Sequence, residues 1–301
     1  MNIDKRFKDA LYHACSFIDD RRYLKMIFFV KVKYSLSLEN PRSFNEKLQW
    51  LKLNDRNNSY PDLVDKYRVR EFVAERIGDD YLIPLVGLWD TVDEVDFGSL
   101  PDRFVAKCTH DSGSVVICAD KESFDEDAAK KKLSRALRHN MFFAGREWPY
   151  SKVKPRIIIE EYLGDPSDDL IDYKFMCFGG KVKCIFTCTE RFSGEGLRVT
   201  FFDTDWKKLP FERHYPASDK AIPEPENLSE MIRIAESLSK GLVFARIDLY
   251  VSDNSIYFGE VTLYPGSGFE PFRPIEWDYT LGSWLDIAEH ADIDRDQRGS
   301  F

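Results

Sequence analysis

VFARIDLYVSDNSIYFGEVTLYPGSG, residues 243–268, is the stretch on which the rest of the chain is read. Val243, Ala245, Ile247, Leu249 and Val251 alternate with a face carrying Arg246 and Asp248, the period of a half-buried strand. After Asp253-Asn254-Ser255 a second run places Ile256, Phe258, Glu260 and Thr262 on one face. A three-residue connection sets Asp248 and Glu260 on the same face of the hairpin, and a two-residue turn sets them on opposite faces. The sequence predicts the longer connection, with two carboxylates and a guanidinium on one sheet face. Carboxylates held together need a cation or a shared proton, and hard oxygen ligands suit Mg²⁺. The plainer alternative is an exposed hairpin with solvated charges.

Composition sets the limits. The 301 residues are enough for one large core or two to three lobes. With 43 basic and 52 acidic residues the net charge is −9, so neither nucleic acid nor an anionic membrane is expected as main partner. No apolar run approaches the roughly 20 residues of a membrane span. MNIDKRFKDALYHA carries charges where a signal peptide needs an apolar region. Cys15, Cys108, Cys118, Cys177, Cys184 and Cys188 form no CxxC pair. Buried free thiols in a reducing, cytoplasmic setting are expected.

Residues 1–60 read as helical, with Leu11, Cys15, Phe17 or Ile18, Leu24, Ile27 and Phe28 as an apolar stripe. Ser43-Phe-Asn-Glu46 is a capping box that opens the next helix. A helix is predicted from about Asp62 to Arg76, followed by Gly78 and the extended YLIPLVGLWD. Phe104-Val-Ala-Lys107 then reads as a strand, followed by a loop with Ser112, Gly113 and Ser114 and a strand at Val115–Cys118. A strand lysine beside such a loop can surround a polyphosphate with an ammonium and backbone N–H groups, although no Gly-Lys-Ser/Thr makes it a Walker A. His110 either touches phosphate or substrate or is a satisfied loop histidine.

Residues 124–140 read as a charged amphipathic helix whose Lys130, Lys131 and Lys132 are solvated. MFFAGREWPYSKVKP reads as a loop, in which Arg146 and Lys152 or Lys154 are candidates to face an acidic substrate. Arg156 to Leu163 is a buried-type strand ending in two acids. Asp172 to Phe178, the Gly179-Gly180 turn and KVKCIFTCTE form a hairpin. There Lys174 either reaches phosphate or pairs with Asp172. Arg191 or Arg198 is a candidate for an acceptor carboxylate. Asp203-Thr-Asp205 has the DxD pattern of a sugar-nucleotide glycosyltransferase but reads better as a turn. Leu228–Lys240 is an amphipathic helix ending at Gly241. An aromatic, proline-rich segment follows Gly268.

Arg-x-Asp on one strand, then a Glu on the next followed by Pro265-Gly266, resembles the metal-binding end of ATP-grasp ligases such as D-alanine–D-alanine ligase. Glu-x-Thr-x-Tyr-Pro-Gly-Ser-Gly-Phe is similar most of all to the TupA-like ATP-grasp branch. The resemblance implies an α+β ATP-grasp fold of two lobes sandwiching ATP over residues 61–268, with the lobe boundary near 160–165. It leaves a helical region at 1–60, without the Rossmann-like start of many ATP-grasp enzymes, and an extension at 269–301 packed on the domain.

For the site, the resemblance implies Mg²⁺ on Asp248 and Glu260, with Thr262 where the family usually has Asn. Arg246 then stabilises the transferring phosphate. Lys66, Lys107, Ser112, Gly113 and Ser114 are implied around the ATP phosphates, and Glu160, Glu161, Tyr162 and Leu163 around adenine. Asp172 is implied at the ribose, with Lys174 beside it. His110, Arg191, Gly266 and Ser267 are the substrate candidates. The implied cofactors are ATP and Mg²⁺, and the implied activity is carboxylate–amine ligation through an acyl phosphate. The branch's link to surface polysaccharide and teichuronopeptide synthesis points to a uronic acid, amino sugar or amino acid. The alternatives are an ATP-grasp kinase, a glycosyltransferase and a non-catalytic nucleotide-binding module.

Overall fold

Alternating hydrophobicity becomes antiparallel sheet in the computed structural model, which describes residues 15–163, 171–190 and 196–288. In chain order the elements begin with α1 (Asp20–Val32), α2 (Phe44–Asn54), α3 (Tyr60–Val64) and α4 (Val69–Ile77). Strands β1 (Leu85–Trp89), β2 (Phe104–Cys108) and β3 (Val116–Cys118) follow, then α5 (Glu126–Leu137), α6 (Met141–Gly145) and β4 (Ile157–Glu161). The rest comprises β5 (Asp172–Phe178), β6 (Lys181–Thr189), β7 (Arg198–Phe202), β8 (Glu212–Arg213) and α7 (Leu228–Ser239). The last elements are β9 (Phe244–Ser252), β10 (Ser255–Thr262), β11 (Phe272–Arg273) and α8 (Glu276–Trp284). The α+β expectation holds.

The chain forms two units. One contains Asn58–Leu170 and Ser252–Glu260; the other contains Ile18–Asn57, Ile171–Val251 and the chain from Val261. In the first, an antiparallel sheet runs β1-β4-β2-β3, with Lys107 opposite Ile158 and Val105 opposite Glu160. The apolar face of α5, Ala129, Leu133 and Ala136, packs into a core with Phe104, Ala106, Cys108, Ile157 and Ile159. Asp125 caps α5 by accepting from the Ala128 N–H at 2.9 Å, so the helix starts where its first orphan donors find an acceptor. The Lys130–Lys132 run lies off this buried stripe, as expected of a solvated face.

In the second unit β9-β5-β6-β7 are antiparallel, and every residue of β5 is buried. One face is covered by α7 through Met231, Ile234, Ala235 and Leu238. The capping box of α2 is present: Ser43 Oγ accepts from the Glu46 N–H at 3.2 Å and Glu46 Oε2 from the Ser43 N–H at 3.1 Å. That helix packs against α8 so closely that a Cβ at Gly282 would lie 2.2 Å from the Arg42 carbonyl oxygen. All six cysteines are free thiols, four of them buried; burial pushes Cys108 and Cys177 up to about 12.

Four local expectations are corrected. The helix predicted over Asp62–Arg76 is two helices, broken because the Asp65 carboxylate accepts from the N–H groups of Tyr67 (2.8 Å) and Arg68 (3.2 Å) in place of continued helix. The segment 141–155 is not a plain loop; it holds α6 and a 3₁₀ turn at Trp148–Lys152. Phe17 lies off the N-terminal stripe at 86% exposure.

The β9–β10 connection has two residues, not three: Asp253 and Asn254 have φ of 49° and 61°, the pair of positive values of a type I′ turn. Such a turn, continued regularly, puts Glu260 on the face opposite Asp248. Burial along β10 does not stay regular, however. Ile256 and Phe258 are buried, then Val261 and Leu263, so the alternation slips by one residue at Gly259-Glu260, the pattern a β-bulge leaves.

Candidate functional site

Asp172 and Lys174 are two apart on β5, and Arg246 and Asp248 two apart on β9, with Lys174 directly opposite Asp248. Period two sends all four side chains to one face of the sheet. Arg246 donates from Nε to Asp248 Oδ1 at 2.6 Å and from its terminal nitrogen to Oδ2 at 2.7 Å. Lys174 Nζ donates to Asp248 Oδ2 and sits 3.5 Å from Asp172 Oδ2. Asp248 is 1% exposed and Lys174 8%. Charges this deep persist only when paired, so the quartet is a mutually dependent unit. Of the two readings of Lys174, the pairing with Asp172 is present, and Asp248 is added to it. Glu260 and Thr262 are half-buried on β10.

In the other unit, Lys107 Nζ lies 2.6 Å from Glu160 Oε2, while Arg70 donates to Glu160 Oε1 at 3.0 Å and to the Ile83 carbonyl at 2.9 Å. The sequence assigned Lys107 to phosphate and Glu160 to adenine; the two are brought together, with Arg70 as third member. Glu161 is exposed and Tyr162 and Leu163 are half-buried just after it. Lys66 lies at the break between α3 and α4, where its N–H donates to the Thr109 carbonyl at 3.1 Å and its ammonium to the Asp111 carbonyl. Ser114 closes the same loop, accepting from the Cys108 N–H at 2.8 Å and donating to Asp111 Oδ1 at 2.5 Å. Ser112 and Gly113 are exposed at its tip.

Two candidates are buried and bonded to backbone carbonyls. His110 is 2% exposed and its Nε2 donates to the His139 carbonyl at 2.9 Å, tying the loop to the end of α5. Burial holds its pKa below the ordinary value. Arg146 is 2% exposed and donates to the Cys15 carbonyl at 2.8 Å, so it does not face substrate. Arg191 lies outside the described residues, and Arg198 begins β7. Asp203 Oδ1 accepts from the N–H groups of Asp205 and Lys207, both at 2.9 Å, so DTD is an Asx turn as the sequence predicts.

Gly266 and Ser267 lie in a left-handed stretch, φ 56° at each, continued by Gly268 at 61°. Three side chains outside the stretch hold it. Lys52, 1% exposed, donates to the Ser267 carbonyl (2.8 Å), to Ser267 Oγ (3.3 Å) and to Gln49 Oε1 (2.9 Å). Gln49 Nε2 donates to the Gly268 carbonyl at 2.8 Å, and the buried Arg213 to the Pro265 carbonyl at 2.6 Å. Sequence reasoning missed Lys52 and Arg213 and gave Arg70 no role in the site. Arg70 carried a weak signal, four residues after Lys66. Lys52 and Arg213 carried none, since a lysine on a charged helix reads as solvated.

Among the described residues no three or more His, Cys, Asp or Glu side chains cluster to hold a metal. The TupA-like ATP-grasp family matches residues 46–286, most of the chain. The chain belongs to that family. Its ATP-grasp similarity extends to solved structures at low identity. D-alanine–D-alanine ligase from Bacillus anthracis complexed with ATP is 16% identical, TM-score 0.38, over 67% of this chain and 54% of that one. The Helicobacter pylori enzyme is 16% identical, TM-score 0.39, over 74% and 63%. The ATP-grasp ligase PsnB with minimal precursor, Mg and ADP is 11% identical, TM-score 0.41, over 81% and 65%. The TupA-like chain thus spans less than two thirds of each of these structures. No curated relative matches. No described helix is long and apolar enough to cross a membrane.

Proposed function

We propose that this TupA-like ATP-grasp chain is an ATP-dependent carboxylate–amine ligase. The observation that carries the reading is the buried Asp172–Lys174–Asp248–Arg246 quartet, a concentration of charge with no serine, threonine or cysteine among its members. Phosphoryl transfer needs positioned charge rather than covalent help from the protein. A substrate carboxylate attacks the γ-phosphate of ATP, ADP leaves, and an amine displaces phosphate from the acyl phosphate to form the amide. Arg246 and Lys107 are assigned to developing phosphate charge, Lys66 and the Ser112–Ser114 loop to the polyphosphate, and Asp172 to the ribose. Glu160 to Leu163 are assigned to adenine, and Gly266 and Ser267 to the acceptor.

Asp248, Glu260 and Thr262 fit Mg²⁺. All three offer hard oxygen donors. When bound, the ion would supply positive charge against the charge that develops on the transferring phosphate. The chain's own part is to fix Asp248 between Arg246 and Lys174, so that its carboxylate is in place before ATP arrives.

The carboxylate substrate is proposed to be a uronic acid or amino acid, joined to an amino sugar or amino acid in surface polysaccharide synthesis. The test is ADP and phosphate release by purified protein across uronic acids and amino acids. Release that needs both a carboxylate and an amine, with a product mass equal to their sum less water, supports the ligase. Phosphate retained on a hydroxyl acceptor replaces it with a kinase.

A further inference from the structure

A pocket of about 220 Å³ is lined by Lys152 and Lys154, which the sequence offered as alternatives facing an acidic substrate and which the proposed function leaves without a role. Its charged lining is Asp62, Asp65, Arg68, Lys152, Lys154 and Arg156: four cations against two carboxylates, in a chain whose net charge is −9. All six belong to one unit, and two of them, Lys154 and Arg156, are bonded through their backbone to Thr109, the residue after β2. The Thr109 N–H donates to the Arg156 carbonyl at 2.9 Å, and Thr109 Oγ1 to the Lys154 carbonyl at 3.1 Å. The pocket therefore opens two residues beyond Lys107 along the chain.

The charges are unequally committed. Arg156 donates to Asp65 Oδ2 at 3.2 Å and lies over the Tyr67 ring at 4.9 Å, which fixes its plane. Its buried Nε–H has no acceptor, a costly state for a guanidinium donor. Arg68 pairs with Asp62 at 2.9 Å and Lys154 with Asp90 at 2.7 Å, but each pair has both members more than half exposed. Exposed pairs of this kind hold their partners weakly. Among the described residues Lys152 has no carboxylate partner.

We infer that this pocket is a binding site for the carboxylate of a small acidic ligand, held by Lys152, Lys154 and Arg156. Its volume falls below the roughly 300–1,000 Å³ of drug-sized sites, which suits one sugar ring or amino acid and not a nucleotide. Arg156 supplies a rigid planar donor and the two lysines supply mobile ammonium groups, so a planar anion meets both kinds of partner. The assignment rests on the ligase reading only for its role, which is to select an acidic acceptor beside the phosphate loop.

The test is calorimetric titration of the full chain with glucuronate, glucose and inorganic phosphate, repeated with K152A/K154A. Both lysines are at the surface of the pocket, so the fold is retained. Arg156→Lys is a second variant, with circular dichroism as control. The expected result is glucuronate binding that weakens at least about tenfold in each variant, no glucose binding, and unchanged affinity for a non-hydrolysable ATP analogue. Tenfold corresponds to about 1.4 kcal/mol. Phosphate binding that matches glucuronate and is lost with it would overturn the carboxylate assignment in favour of a general oxyanion site. Glucuronate affinity indifferent to both variants would overturn the site altogether. The ligase reading is scored separately by ADP release: its absence with variant-sensitive glucuronate binding leaves the pocket standing, and its presence with an unchanged carboxylate KM in K152A/K154A leaves the ligase standing without it.

Discussion

Asp248 has two carboxylate oxygens, both engaged: Arg246 takes one on each side and Lys174 shares the second. Replacing it by Asn keeps the volume but strands two cations in a buried setting. Asp248→Asn is expected to lower turnover at least about 100-fold, the scale of losing a positioned electrostatic partner. It is also expected to cost about 3 kcal/mol of stability in urea unfolding, the scale of breaking a buried pair. Wild-type stability in that variant would mean the quartet is not interdependent. His110 gives a pH signature. Its folded pKa lies below the unfolded value because burial disfavours the charged ring, so the unfolded chain binds the extra proton. Stability should therefore fall as pH drops below about 6.5 and continue to fall toward the folded pKa. Denaturation at pH 7.5 and 5.5 checks this: wild type should lose more stability than His110→Gln, which keeps a donor for the His139 carbonyl.

Helix α2 shows what an element contributes beyond its own hydrogen bonds. Its capping box fixes where it starts, its apolar residues fix its face, and Gln49 and Lys52 reach the loop after β10. Lys52→Ala is expected to cost about 2–4 kcal/mol in urea unfolding, since it removes a packed stem and the ammonium's bonds to Ser267 and Gln49. Gly282→Ala on α8 should cost about 1–3 kcal/mol by the same measurement, because its added methyl meets backbone of the chain entering α2. The capping box, the β5–β6 hairpin with its Gly-Gly turn, and the Asx turn at Asp203 were legible because their signals are local. The two-residue turn was not. Asp253-Asn254-Ser255 is compatible with either length, and only the slip in burial at Gly259 reveals how β10 departs from regular register. The break at Asp65 was hidden for a similar reason: helical periodicity continues through it, while the Asp65 carboxylate captures the N–H groups of Tyr67 and Arg68.

At the scale of the whole molecule, the order of the blocks carried more than any one of them. Lys66, the Lys107 strand with its small loop, Glu160-Glu161, then Arg246-x-Asp248 and Glu260-x-Thr262 were enough to read the family. Pairings such as Lys107–Glu160–Arg70 and Lys52–Ser267 bring residues distant in sequence together, and periodicity does not report them. The central claim is that a carboxylate is activated as an acyl phosphate, and oxygen tracing tests it most directly. Glucuronate or an amino acid that supports ADP release would be supplied with ¹⁸O in its carboxylate, together with ATP, Mg²⁺ and an amine. The account predicts that released phosphate carries one ¹⁸O, because the carboxylate oxygen that attacks phosphorus leaves with it when the amide forms. Unlabelled phosphate alongside the amide would contradict it.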